Sequence, residues 1–161
     1  MTGYLLDTNV ISELKKPKPN QKVVAFIAGE ALDRFYLSSV TVAEIRFGIE
    51  LIGDAGRRSV LTLWLDNELR PMFDGRILQA DEDMLLMWRL MIEAGRKRGH
   101  TFSHPDVLIA AIAANHGLTV ATRNDAEFVA AGVGVFNPWT GSRHSPSLLR
   151  PSTYRRGRTT S

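Results

Sequence analysis

Tyr4-Leu5-Leu6-Asp7-Thr8-Asn9-Val10-Ile11-Ser12-Glu13-Leu14 is the stretch on which the reading of the fold turns. Tyr4-Leu5-Leu6 reads as a short buried strand, and Asp7 ends it. Ile11 and Leu14 then continue at helical spacing until Pro17-Lys18-Pro19 stops the helix. The same alternation runs outward along the chain. Gln21 to Ala28 reads as a helix, Phe35-Tyr36-Leu37 as a strand, and Val42 to Ile52 and Arg57 to Leu69 as helices parted by Gly53 and Gly56. Arg76-Ile77-Leu78 is a strand, Glu82 to Arg98 a long helix, and Pro105 to His116 a helix closed by Gly117. Leu118 to Ala121 and Val133 to Phe136 are the last strands. Strands separated by helices pair in parallel through crossovers, so the expected fold is α/β, a three-layer α/β/α sandwich with a central parallel sheet.

The 161 residues are about one domain's worth. The formal net charge of +3 is unevenly placed. Residues 140–161 hold five arginines (Arg143, Arg150, Arg155, Arg156, Arg158) and no acid, so residues 1–139, with 15 basic and 17 acidic side chains, carry −2. The basicity belongs to a segment rich in Ser, Thr, Arg, Gly and Pro, expected to be a flexible tail behind a single domain over 1–139. Cysteine is absent, which excludes disulfide frameworks, thiolate zinc sites and a cysteine nucleophile. Apolar runs such as Val107 to Ala114 fall short of the ~18–20 residues of a membrane span. Asp7 interrupts the first apolar run too early for a signal peptide, and a cytoplasmic location is expected.

In open parallel sheets ligands bind beyond the carboxyl ends of the strands. Asp7 follows the first strand, Glu44 is placed in the first turn of the helix after the second, Asp106 opens the helix behind Pro105, and Asn124-Asp125 follows Thr119-Val120-Ala121. Converging carboxylates repel, and a hard divalent cation such as Mg²⁺ or Mn²⁺ removes the conflict while supporting phosphodiester hydrolysis. A plainer reading competes for each acid. Thr41-x-x-Glu44 and Ser103-x-x-Asp106 match the capping-box pattern, and Asp7 can cap the helix after it.

At these residues the sequence resembles the PIN-domain family, within it the VapC type of toxin ribonuclease and its FitB-like branch. The resemblance lies in Leu5 to Leu14, Leu37-Ser38-Ser39-Val40-Thr41-Val42-Ala43-Glu44-Ile45-Arg46-Phe47-Gly48, Asp106-Val107-Leu108-Ile109-Ala110-Ala111, Leu118 to Asn124 and Val135-Phe136-Asn137-Pro138-Trp139, in family order. It implies a Mg²⁺- or Mn²⁺-dependent endoribonuclease that is the toxin of a type II toxin–antitoxin pair, blocked by a small antitoxin. By position, Asp7 and Asp106 would bind the metal, Glu44 would join them directly or through water, and Thr8, Asn9 and Thr122 would orient these carboxylates. Many relatives carry Asp where Asn124 stands, so either Asn124 or Asp125 takes the fourth place. The chemistry expected is attack of water on a phosphodiester of single-stranded RNA, with Glu44 or Asp125 steering the water.

Two other functions compete. Asp7-Thr8-Asn9-Val10 also resembles the nucleophile loop of haloacid-dehalogenase-like phosphatases, but Asn9 stands where that chemistry wants a second acid, and Lys97 is the last lysine. The other is a non-catalytic module whose acidic pocket binds an antitoxin. The apolar run Met84 to Trp88 with Leu90, Met91 and Ile92 is part core and part contact surface for a homodimer or a toxin–antitoxin hetero-oligomer. His100 and His104 read as loop residues, Arg96-Lys97-Arg98 as a solvated helix end, and Arg46 and Arg123 as local attraction for RNA.

Overall fold

Tyr4–Leu6 (β1) is buried along its whole length, and its side chains divide between two cores. Tyr4 and Leu6 pack on one face of the sheet with Val10, Val23, Phe35, Leu37 and Val42. Leu5 packs on the other with Met84, Ile109, Ile112, Val120 and Phe128. This two-sided burial of one strand is what makes the protein three-layered. The computed structural model describes residues 3–147.

From β1 the chain runs through α1 (Thr8–Leu14) and α2 (Gln21–Ala28) to β2 (Phe35–Ser38), then through α3 (Ser39–Glu50), α4 (Ala55–Trp64) and α5 (Arg70–Met72) to β3 (Ile77–Leu78). After α6 (Glu82–Lys97) and α7 (His104–His116) come β4 (Thr119–Ala121), α8 (Asp125–Ala130), β5 (Val135–Phe136) and β6 (Arg143–His144). The sheet order is β3-β2-β1-β4-β5-β6. All pairs are parallel except β5 with β6. The first three strands therefore grow one way from β1 and the next two grow the other way. Helices α1 to α4 cover one face, and α6 to α8 cover the other. Gly117, at φ 65°, closes α7 in the left-handed conformation that glycine adopts without strain.

Four features depart from the expectation. Helix α3 begins at Ser39, earlier than expected, because the Ser38 hydroxyl accepts the Thr41 N–H at 3.0 Å and caps it. The helix expected over 57–69 widens into a π turn at Leu65–Leu69, directly before Pro71, which has no N–H to donate. Helix α8 is six residues long with Phe128 its only buried side chain, too short for periodicity to reveal. The sheet also continues beyond residue 139, where the flexible tail was expected to begin. Arg143 lies 4.2 Å over the Phe136 ring and donates to the Tyr4 hydroxyl at 2.7 Å, which fixes a polar, exposed strand against β5. The other four arginines of that segment lie outside the described residues.

Ser38 is fully buried and holds the start of the helix that carries Glu44. Ser38→Ala is expected to cost about 1 kcal/mol of unfolding free energy, within the ~0.5–2 kcal/mol range of lost caps, measurable by urea denaturation.

Candidate active site

The strand order reverses between β1 and β4, and the crevice beyond their carboxyl ends is where open α/β sheets bind ligands. Asp7 stands at that crevice, with its N–H bonded to the Ala121 carbonyl at 3.0 Å so that the β1–β4 ladder runs up to it. Its side chain is buried and held on both oxygens. Oδ1 accepts the Thr8 N–H at 2.7 Å, while Oδ2 accepts the Thr122 hydroxyl at 2.8 Å and the Asn9 amide at 3.3 Å. The capping reading of Asp7 is thus partly correct, since it ends β1 and caps α1. The Thr122 bond spans the crevice from strand to strand, which capping does not explain.

Glu44 and Asp106 approach the same cleft from helices. Glu44 lies in the second turn of α3, a correction to its expected place in the first turn, and Ser38 rather than Thr41 is the cap. Its Oε1 accepts the Thr8 hydroxyl at 3.1 Å, which ties it to the residue beside Asp7. Asp106 sits in the first turn of α7, but the Ser103 N–H that a capping box would give it goes to Glu127 Oε1 at 2.8 Å. Neither capping box forms. Asp106 Oδ2 instead accepts the Asn124 amide at 2.9 Å, and the Asn124 N–H donates to Thr122 Oγ1 at 3.0 Å. Hydrogen bonds thus run from Asp106 through Asn124 and Thr122 to Asp7.

Together these groups line a cleft of about 400 Å³ with Thr8, Asn9, Ser12, Glu13, Lys16, Arg123 and Trp139. Neither Asn124 nor Asp125 lines the cleft itself, but Asn124 donates to Asp106 there. Asp125 opens α8, and its Oδ2 accepts from the buried Asn137 amide at 3.5 Å. Of the two residues considered for the fourth place, Asn124 is the one bonded to an acid of the cleft. His104 begins α7, and neither it nor His100 lines the cleft. Arg96 pairs with Glu93, and Arg98 donates to the Ala130 carbonyl, so these cations are spent on the fold.

Ser12, Glu13, Lys16 and Trp139 carry no role in the sequence reading. A signal for Ser12 and Lys16 was available, since Thr8, Ser12 and Lys16 recur at every fourth position opposite Val10, Ile11 and Leu14. Glu13 is a satisfied acid. Lys16 at 2.5 Å and the Asn20 N–H at 3.0 Å hold its carboxyl below the usual range. The other three acids behave oppositely. Burial raises Asp7, against the hydrogen bonds of Thr122 and Thr8, and the charge of Asp106 raises it further. Burial also raises Glu44, with Asp7 and Asp106 adding to the effect. Asp106 is raised by burial and by Glu127, against hydrogen bonds from Ser103 and Asn124. Among the described residues no three such side chains stand close enough to form a ready cage for an ion. The acids share the cleft at longer range.

Residues 4–133 match the model of the PIN domain, and the chain belongs to the PIN-domain family. More particularly, it is 44% identical over 135 residues to Toxin FitB of Neisseria gonorrhoeae, covering 84% of this chain and 97% of that protein. VapC ribonuclease Y4jK of Sinorhizobium fredii is 39% identical, over 84% of this chain and 96% of its own length. The crystal structure of FitAcB from Neisseria gonorrhoeae superposes with a TM-score of 0.81 at 43% identity, over 84% of this chain and 98% of that one.

The raised acids set a pH dependence whose sign follows from proton binding. A carboxyl raised on folding binds its proton more tightly in the folded state, so its ionisation costs stability above the raised folded pKa. That cost disappears as the pH falls through the folded value toward the ordinary 3.8 of Asp106. Asp106→Asn is therefore expected to raise the melting temperature of the metal-free protein at pH 7, with a gain that shrinks toward pH 4. Paired thermal melts across that range check it.

Proposed function

We propose that this protein is the toxin of a toxin–antitoxin pair and acts in the cytoplasm as a divalent-metal-dependent endoribonuclease on single-stranded RNA. The observation that carries the reading is the placing of Asp7, Glu44 and Asp106 in one cleft at the switch point of the sheet. The relatives named as a toxin and as a VapC ribonuclease support it.

The donor set fits Mg²⁺ or Mn²⁺. It consists of hard oxygen ligands, burial raises the proton affinity of all three acids, and of the two cations at the cleft Lys16 is already paired with Glu13. Asp7 and Asp106 would hold the ion, with Glu44 joining directly or through water. Mg²⁺ keeps several waters and needs only one or two carboxylates, which suits acids spread around a cleft. When bound, such an ion lowers the pKa of water and stabilises charge on a phosphoryl oxygen.

The chain's own residues do the positioning. Thr122 and Asn9 fix Asp7 Oδ2, and Asn124 fixes Asp106. Thr8 holds Glu44 through Oε1, leaving Oε2 to take the proton of the attacking water, and the raised pKa suits that role. Water adds to phosphorus, one P–O ester bond breaks, and the leaving oxygen is protonated. The tethering of both Asp7 oxygens suits a ligand more than the aspartyl nucleophile of a phosphatase.

A partner protein fits the exposed apolar side chains Phe47 of α3, Leu51 directly after it, and Val60 and Leu63 of α4. Leu85, Leu86 and Leu90 add a second patch on α6. The cognate antitoxin and a second copy of the chain are the proposed occupants, giving a homodimer and a toxin–antitoxin hetero-oligomer. Among the described residues no helix is long and apolar enough to cross a membrane.

Purified protein is expected to cleave single-stranded RNA with Mg²⁺ or Mn²⁺ and not with EDTA. Asp7→Asn and Asp106→Asn should each lose more than the ~10–100-fold typical of residues that orient ligands, Thr122→Val should fall in that range, and Asp125→Asn should stay near the parent. Full cleavage by both ligand variants, or growth arrest on expression that survives Asp7→Asn, would overturn the reading. Melting supplies an independent readout. A hundredfold excess of metal over its Kd stabilises by about 2.7 kcal/mol, a Tm rise on the order of 5–10 °C that Asp7→Asn should abolish.

A further inference from the structure

One wall of the acidic cleft is not acidic. Trp139 and Arg123 line it beside Asp7 and Asp106, with the Arg123 guanidinium 5.5 Å from the centre of the Trp139 ring. That is within cation–π range, so the guanidinium and the indole stand together on this wall of the cleft. The ring is half-buried. Part of it packs against the core on the α1 to α4 face of the sheet, and the rest faces the cleft.

Both residues are fixed by one side chain. Asn137 is buried, its Oδ1 accepts the Trp139 N–H at 2.9 Å, and its Nδ2 reaches the Arg123 carbonyl at 3.5 Å. The Asn137 backbone closes the turn behind them, accepting the Gly141 N–H at 2.8 Å and donating to the Ser142 carbonyl at 2.9 Å. Asn9 reaches the same wall from the other side, since its Oδ1 accepts the Arg123 N–H at 3.3 Å while its amide donates to Asp7. The aromatic wall and the acidic floor thus share a scaffold. This is more restraint than the edge of a surface loop needs.

We infer that Trp139 is the stacking platform for a nucleobase beside the scissile phosphate, and that Arg123 contacts the neighbouring phosphate. The inference rests on the ribonuclease reading and adds where the RNA lies. A single-stranded nucleotide presents a flat apolar base face and an anionic backbone, and the pair offers an indole and a guanidinium in that order beside the acids. Stacking of a base on an aromatic side chain contributes ~1–3 kcal/mol and tolerates any base. The platform therefore sets the position of the strand and leaves its sequence unread. It also accounts for how a cleft with little free positive charge retains an anionic polymer. Trp139 is a positioning residue, since it acts on the strand and not on the reacting atoms.

The test is RNA binding without cleavage. A short fluorescently labelled single-stranded RNA is titrated by anisotropy with the full-length protein in EDTA at fixed salt. Trp139→Ala is expected to weaken binding on the order of 10-fold, while Trp139→Phe keeps most of the affinity. In a series of RNAs with one abasic site each, one position should weaken the parent by the same factor and leave Trp139→Ala unaffected, a coupling that a merely structural role would not produce. Arg123→Ala should weaken all these RNAs alike and reduce the salt dependence by about one charge. Unchanged binding by Trp139→Ala, or abasic sites that weaken both proteins equally, would overturn the inference. If Trp139→Ala does not fold, the parent decides, and an abasic series with no sensitive position overturns it. Cleavage lost in Asp106→Asn but unaltered in Trp139→Ala removes this inference alone, whereas a parent that neither binds nor cleaves RNA removes the ribonuclease reading with it.

Discussion

One buried hydroxyl ties the acid at the end of β1 to the end of β4. Thr122 donates to Asp7 across the gap where the sheet changes direction, at 2.8 Å and out of contact with water. Asp7 is the residue least able to tolerate that setting alone, because a buried carboxylate without partners is strongly disfavoured. Its Thr8, Asn9 and Thr122 donors make the burial tolerable without removing the charge. Burial leaves Asp7, Glu44 and Asp106 with raised proton affinity, to which the charge of Asp106 adds at Asp7 and those of Asp7 and Asp106 add at Glu44. A strained electrostatic arrangement of this kind marks functional sites more often than structural ion pairs.

The strands that carry this arrangement are legible from composition because their burial is extreme. β1 and β4 are apolar on both faces, and three residues suffice to identify each. Asp7 is legible for the same reason, as the first charge after such a run. Glu44 and Asp106 are less so, because an acid near a helix start has two explanations with the same sequence pattern. Only the Ser38 cap and the Glu127 contact separate them, and both are tertiary facts. Asn124 and Asp125 are adjacent in the chain, and a one-residue difference in where α8 begins decides which of them reaches Asp106. Strand β6 has no apolar signature at all. Its order comes from Arg143 lying over Phe136 and Tyr4, residues remote in the chain.

The charge of the cleft also explains why whole-chain figures mislead. The formal +3 is made by arginines behind residue 139, four of them outside the described residues. Within the cleft the balance is acidic, and Glu13 neutralises Lys16 there. Attraction for a polyanion has to arise locally, from a captured cation, from Arg123 and from the flat face of Trp139. Electrostatic recognition confined to so few groups is expected to be short-ranged and sensitive to salt.

The order in which the site's parts occur along the chain has a consequence for biosynthesis. Asp7 is made well before its partners, since Asp106, Thr122, Asn124 and the Asn137 turn come from the last third of the described chain. A partial chain ending before residue 122 has the Thr8 and Asn9 donors but lacks the Thr122 hydroxyl that reaches Asp7 from the end of β4. The cleft as described is complete only once β4 has been made and pairs with β1.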